Sequence, residues 1–313
     1  NNGSGALSMT STGSVTGGNY GILADNYSGT DLTISAASVS GGMGIYARNR
    51  GAGDLSLTAT GSVTGTTGNG IFAMNDSTGE NLDITVGDVT GAIDGIDAKN
   101  RGTGALLVTA TGTVTGTGGD GVFAANNGTD LTISTASVSG DSRGIYASNV
   151  GTGTLSVTTS GAISGGTGAA IQTSSNTGSA VAITLLSTSS VRSTSGTAIV
   201  DGRGNAVVTI NAGAVVNGSI SLGAGNDTLN IMAGASLAGV TALSGGSGSF
   251  VDTLNINAGV AGAISDWEIM NVNAGGGNFT ISGPISGAGT LTKTGAGAVT
   301  LSGANSFSGG TTI

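Results

Sequence analysis

The sequence predicts an all-β chain folded as a right-handed parallel β-helix, a β-solenoid with three strands per coil and about 25 residues per coil. Three series of apolar residues carry this prediction. The first is a pair that recurs as Leu7/Met9, Leu32/Ile34, Leu55/Leu57, Leu82/Ile84, Leu106/Val108, Leu131/Ile133 and Leu155/Val157. The second is a single β-branched residue seven or eight positions after the leading Leu: Val15, Val39, Val63, Val89, Val114, Val138 and Ile163. The third runs Ile22, Ile45, Ile71, Ile96, Val122, Ile145 and Ile171. Each series steps by 23 to 27 residues, with no helical spacing inside a step. A period of this size built from short strands defines a stack of coils in which no coil buries its own apolar face.

Residues 30–53 show how one coil is built. Asp31-Leu32-Thr33-Ile34-Ser35 alternates polar and apolar, as a strand with one buried face must. Ser38-Val39-Ser40 is a shorter strand with one inward residue, closed by Gly41-Gly42. In Gly44-Ile45-Tyr46-Ala47-Arg48-Asn49 the alternation turns Ile45 and Ala47 inward and Tyr46 and Arg48 outward. Arg50-Gly51-Ala52-Gly53 returns the chain to the start of the next coil. About a dozen coils at ~4.8 Å each give a rod roughly 55–60 Å long. The offset from first to second strand alternates between eight and seven residues, from Leu7–Val15 to Leu155–Ile163. Two coil subtypes therefore alternate, and a duplicated two-coil unit accounts for the near identity of residues 30–41 and 129–140.

Residues 1–178 read as regular coils and residues 179–282 as less regular ones. In the latter, Val181/Ile183, Val208/Ile210, Leu229/Ile231 and Leu254/Ile256 keep the first-strand signal while the third strand is hard to follow. A separate domain starting near Asn205 is the alternative to a continuing solenoid. Residues 283–313 form a third segment with a repeat phrase of its own.

Composition narrows the function. The chain has 313 residues, 62 Gly, one Pro, no Cys and no His. Hydrophobic residues reach 37% while charged residues stay at 8%. The apolar residues hold fixed spacings, which excludes disorder, and Gly has no three-residue period, which excludes collagen. A formal net charge of −9 opposes nucleic-acid backbones and anionic membranes. No apolar run is long enough for a membrane-spanning helix. The first residues, Asn1 to Gly5, carry no signal-peptide pattern, and the last ones stop inside a repeat-like phrase, so the chain reads as a piece of a longer one. Lack of Cys suits passage through an oxidising compartment.

The end of the chain carries the most specific phrase. From Gly287 it reads G-x-G-T-L-x-K-x-G-x-G, and from Leu301 L-S-G-x-N-x-[FY]-x-G-G-T-T-I, in order and without gaps. Residues 283–313 closely resemble the passenger-associated transport repeat of bacterial type V autotransporters. The resemblance implies a β-helical passenger moved across the outer membrane, exposed at the cell surface or secreted, with a C-terminal β-barrel translocator in the full-length chain. In that family such repeats assist secretion and folding, and passengers are most often adhesins, sometimes toxins or proteases.

Four features are candidate sites. The third strand ends in Asn26, Asn49, Asn75, Asn100, Asn126 and Asn149, read as a structural asparagine ladder. Three residues earlier stand Leu23, Tyr46, Phe72, Asp97, Phe123 and Tyr146 on the outer face. Tyr46, Phe72, Phe123 and Tyr146 form an aromatic stripe that either binds a ligand or shields the edge of the third sheet. Gly223 to Leu229 resembles half of a calcium-binding RTX nonapeptide, but no second half follows, so no metal site is expected. Asp94 and Asp97, with Asp83 and Asp88 nearby, are expected to form a solvated acidic patch in one coil. Without His or Cys the triads and dyads that use them are excluded, and Lys99 and Lys293 have no Ser-x-x-Lys context. No catalytic residue and no cofactor are expected.

The function expected is a non-enzymatic cell-surface passenger, an adhesin or adhesin stalk that attaches to host or other cells. Its partners would be a host surface glycan or matrix protein, or a second rod through self-association, and not nucleic acid. A β-helical polysaccharide-active enzyme or toxin segment, and a purely structural spacer, are the alternatives.

Overall fold

A computed structural model describes residues 1–275 and 277–313. Among these residues every regular element is a β-strand, and coils of about 25 residues stack in parallel into a solenoid. The three apolar series become three vertical columns. In the first, Leu7, Leu32, Leu55, Leu82, Leu106, Leu131 and Leu155 are successive register partners. In the second, Val15, Val39, Val63, Val89, Val114, Val138 and Ile163 stack in the same way. The third stacks Ile22, Ile45, Ile71, Ile96, Val122, Ile145 and Ile171. From Leu32 onward in these columns all are buried, whereas Leu7, Met9 and Val15 of the first coil are only partly covered. Each fully buried Leu, Ile or Val contributes about 1.5–3 kcal/mol, and only the neighbouring coils supply that burial.

The alternating offset has a physical counterpart. Between the strands Leu106–Gly116 and Leu131–Gly140 the register shifts, so that Ala110 pairs with Thr135 but Thr113 with Ser137. The longer coil takes up its extra residue in a bulge at the corner. The two inward columns on either side therefore stay aligned. Glycines in the corners of this half serve close approach: a Cβ on Gly91 would fall on the carbonyl of Asp94.

From residue 179 the stack continues. The column of Leu155 continues through Val181 and Ala206, and the column of Val157 through Ile183, Val208, Leu229, Leu254, Met270 and Leu291. Here the sequence reading needs a correction. Val208/Ile210 are not the partners of Val181/Ile183; the register is Val181 with Ala206, Ile183 with Val208 and Leu185 with Ile210. The next coil opposes Leu229 to Val208 and Ile231 to Ile210, so these pairs continue Ile183/Leu185 in register, and the position in line with Val181 and Ala206 passes to Asp227. The third column, hard to follow in sequence, is Ile199, Ile220, Leu243, Ile264 and Ile285. Coils shorten as well: Asn271 donates to Asn255 across only 16 residues. The core there is closed by Trp267, fully buried, with its indole N–H donated to the Leu243 carbonyl at 3.2 Å. Positive φ values occur, among the described residues, only from Gly178 onward, with Asp266 (φ 62) the one non-glycine. The irregular corners thus use left-handed turns where the regular corners use bulges and close approach.

Candidate functional site

The outer face of the third column places the predicted aromatics in one line. Leu23, Tyr46, Phe72, Asp97, Phe123, Tyr146 and Gln172 are successive register partners. Parallel in-register strands about 4.8 Å apart bring equal side chains to stacking distance. Tyr46 and Phe72 stack with centroids 5.0 Å apart and planes 15° apart, and Phe123 and Tyr146 at 5.1 Å and 29°. Tyr20 adds an edge contact to Tyr46 at 6.0 Å.

The gap between the two stacked pairs is filled by charge. Lys99 lies over both Phe72 (5.3 Å) and Phe123 (5.0 Å) and pairs with Asp97 at 2.8 Å. Arg143 lies over Tyr146 at 3.9 Å and pairs with Asp120 at 2.7 Å. The stripe is therefore one continuous assembly of rings and cations, held by stacking and cation–π attraction. Ring faces meet other rings or cations, and the half-buried rings leave their edges, with the tyrosine hydroxyls, as the outer surface. Asp97, placed on the outer face by alternation, is in fact buried beneath Lys99. Its carboxyl is pushed up by that burial and pulled partly back by the ammonium.

The six third-strand asparagines stack in register and are buried. Direct amide-to-amide bonds run from Asn26 to Asn49 (2.9 Å) and from Asn126 to Asn149 (3.2 Å). In between, the amides turn to the corner instead. Asn100 Nδ2 donates to the carbonyls of Glu80, Gly104 and Ala105, and Asn100 Oδ1 accepts the Gly102 N–H. Asn75 likewise donates to Gly53 and Asn81 carbonyls. Each asparagine thus ties the end of a strand to the turn that follows it, adding a second donor to carbonyls that already accept a backbone N–H from a neighbouring coil.

Of the acids expected to form one patch, Asp94 and Asp97 come together, whereas Asp83 and Asp88 lie on other parts of the coil. Asp83 lies on the first strand and Asp88 at the next corner, both exposed. Asp94 and Asp97 belong to the third strand's approach and couple to Asp120. Corner acids act as caps across coils: Asp94 Oδ1 accepts from the Asp120 N–H at 2.8 Å, and Asp88 Oδ1 from the Thr113 N–H at 2.7 Å. Among the described residues no group of three or more His, Cys, Asp or Glu side chains is arranged to hold a metal ion.

The half nonapeptide at Gly223 to Leu229 has a different job. Asp227 is fully buried; its Oδ1 accepts the Ala206 N–H at 2.6 Å, while its own N–H donates to Asp252 Oδ1 at 2.8 Å. The Asp252 N–H in turn donates to Glu268 Oε2 at 2.8 Å. Burial pushes Asp227 up to about 7, and Asp201, bonded by the Thr173 hydroxyl at 2.6 Å, up to about 6. Sequence reasoning missed Asp201, although a signal was there. Ile199-Val200-Asp201-Gly202-Arg203 repeats the spacing of Ile45-Tyr46-Ala47-Arg48-Asn49, with an acid at the inward Ala position and Arg in place of Asn.

Comparison with known proteins adds one finding. No curated protein and no solved structure matches the chain. A family model described as passenger-associated-transport-repeat matches residues 291–313, inside the segment that carries the repeat phrase. That segment is built into the solenoid: Leu291 and Thr292 pair with Met270 and Asn271 on one side and with Thr311 and Thr312 on the other. The chain therefore carries a passenger-associated transport repeat as its last coils, and repeat and β-solenoid together fit an autotransporter passenger.

Proposed function

We propose that this chain is the non-enzymatic, surface-displayed passenger of an autotransporter and works as an adhesin or adhesin stalk. The observation that carries this reading is the transport repeat stacked in register on the end of a parallel solenoid. In the full-length protein a C-terminal β-barrel translocator would anchor the rod, which is exposed on the outer membrane or released from it. The absence of His and Cys from the sequence supports a non-enzymatic role. The partner is a host surface glycan or matrix protein, or a second rod, and the candidate contact face is the stripe of Tyr46, Phe72, Phe123 and Tyr146. With ring faces closed by their neighbours, such a face would work through ring edges and tyrosine hydroxyls rather than by stacking on sugar rings.

The same closure favours a second reading, a structural spacer in which the stripe braces the third sheet. One experiment separates the two. The 313-residue rod and a Tyr46→Ser/Phe72→Ser/Phe123→Ser/Tyr146→Ser variant are applied to an array of glycans and matrix proteins, with circular dichroism as a folding control. Binding by the parent and its loss in a folded variant supports adhesion through the stripe. Binding by neither rod leaves the spacer.

A further inference from the structure

Burying a carboxylate demands a compensating charge or the loss of its own. Five carboxylates are buried among the described residues: Asp97, Asp120, Asp201, Asp227 and Asp252. In the regular half each has a cation. Lys99 stands 2.8 Å from Asp97 and Arg143 2.7 Å from Asp120. In the second half none does. The remaining ion pairs among the described residues, Arg48–Asp76 and Arg50–Asp25, lie in the first coils.

Asp227 and Asp252 are joined across neighbouring coils by the bond from the Asp227 N–H to Asp252 Oδ1, and Asp201 lies near enough to act on Asp227. Asp201 meets the Thr173 hydroxyl and the Gly202 backbone. Asp227 meets the Ala206 N–H and feels both Asp201 and Asp252; Asp252 feels Glu268 and Asp266. Every charged group that acts on this set is an acid. Asp201 Oδ2 and Asp227 Oδ2 are buried without a hydrogen-bond partner. An ionised carboxylate in either place would be a bare buried charge beside another of the same sign.

We propose that Asp201, Asp227 and Asp252 form a proton-loaded seam, which locks the coils between residues 201 and 268 while the carboxyls are neutral and loosens them when the carboxyls give their protons to solvent. The seam lies between the regular coils and the transport repeat, so it acts as a pH-set joint in the rod. Its sign follows from linkage. The folded state binds protons more tightly than the unfolded chain, so the stabilisation is complete near and below the ordinary carboxyl value and is lost as pH rises. For Asp227 that window runs from 3.8 to about 7, and for Asp201 from 3.8 to about 6.

Hydrogen exchange read by mass spectrometry on the 313-residue chain tests this, at pH 5, 6, 7 and 8 with chemical exchange rates corrected. Protection of peptides covering residues 204–210, 226–231 and 251–257 should fall at least about ten-fold from pH 5 to pH 8, one pKa unit being a factor of ten. Peptides covering residues 82–91 and 131–140 should keep theirs. An Asp201→Asn/Asp227→Asn variant retains an acceptor for the Ala206 N–H and never ionises, so its seam should stay protected at pH 8. Flat protection across pH in the parent overturns the proposal whether or not the variant folds. So does an unchanged pH slope in the folded variant. Calcium at millimolar concentration restoring protection at pH 8 overturns it too, in favour of a cation site.

Discussion

Corner side chains are where a single substitution does most damage. Asn49 is fully buried, accepts from Asn26 Nδ2 at 2.9 Å and from the Gly51 N–H at 3.2 Å, and donates to the Gly53 carbonyl at 3.2 Å. Asn49→Ala leaves the buried Gly51 N–H orphaned, which costs about 1–3 kcal/mol, while the Gly53 carbonyl keeps the Glu80 N–H. Asn127, one position past the Asn126 of the same column, is exposed, and Asn127→Ala should be close to neutral. Urea unfolding of the two variants checks the difference, and equal midpoints would deny the asparagine column its structural part. At this scale the recurrence of Asn was legible in the phrase itself. Its partners were not, because register and turn geometry choose between a neighbouring amide and a corner carbonyl.

At the scale of the strand, one position decides whether the third column's outer face is apolar or charged. Asp97 interrupts the aromatic line, and Lys99 repairs it by pairing with Asp97 while lying over Phe72 and Phe123. Lys99→Ala would leave a buried carboxylate without its cation. Burial already raises the Asp97 carboxyl and Lys99 lowers it, so the variant's carboxyl moves further above 3.8. A raised acid is stabilising when protonated and loses that contribution as pH rises. The variant should therefore lose about 2 kcal/mol at pH 8, discounted for the lysine's partial exposure, and much less at pH 4.5. Denaturant midpoints at the two pH values report this, and a pH-independent loss would mean that Lys99 acts through packing alone. Alternation placed Asp97 outside; only the neighbours' side chains decided that outside here means covered.

For the whole molecule, stability is a sum of nearest-neighbour interfaces. Coils within the stack are covered on both sides, whereas Leu7, Met9 and Val15 are only partly covered in this chain. Amides of Leu106–Gly116 and Leu131–Gly140 should exchange more slowly than those of Leu7–Ser11 and Thr290–Thr294. Uniform protection from end to end would instead show the rod opening as a single unit. Adhesion also belongs to this scale, since a rod offers one long face rather than a pocket, and the candidate face spans the coils from Tyr46 to Tyr146.

The sequence by itself determined the fold class, the coil length and the three inward columns up to residue 178. Those depend on strict periods that a parallel stack must repeat, and the same repetition made the transport phrase recognisable. Tertiary structure decided what periods do not encode. It set the register of Val208/Ile210 on Ile183/Leu185, the shortened coils closed by Trp267, and the third column through Ile199 and Ile220. It also set the pairing of each buried acid. Whether an aspartate meets a lysine, a backbone N–H or another aspartate depends on which coil lies above it, and that is settled only when the coils are stacked.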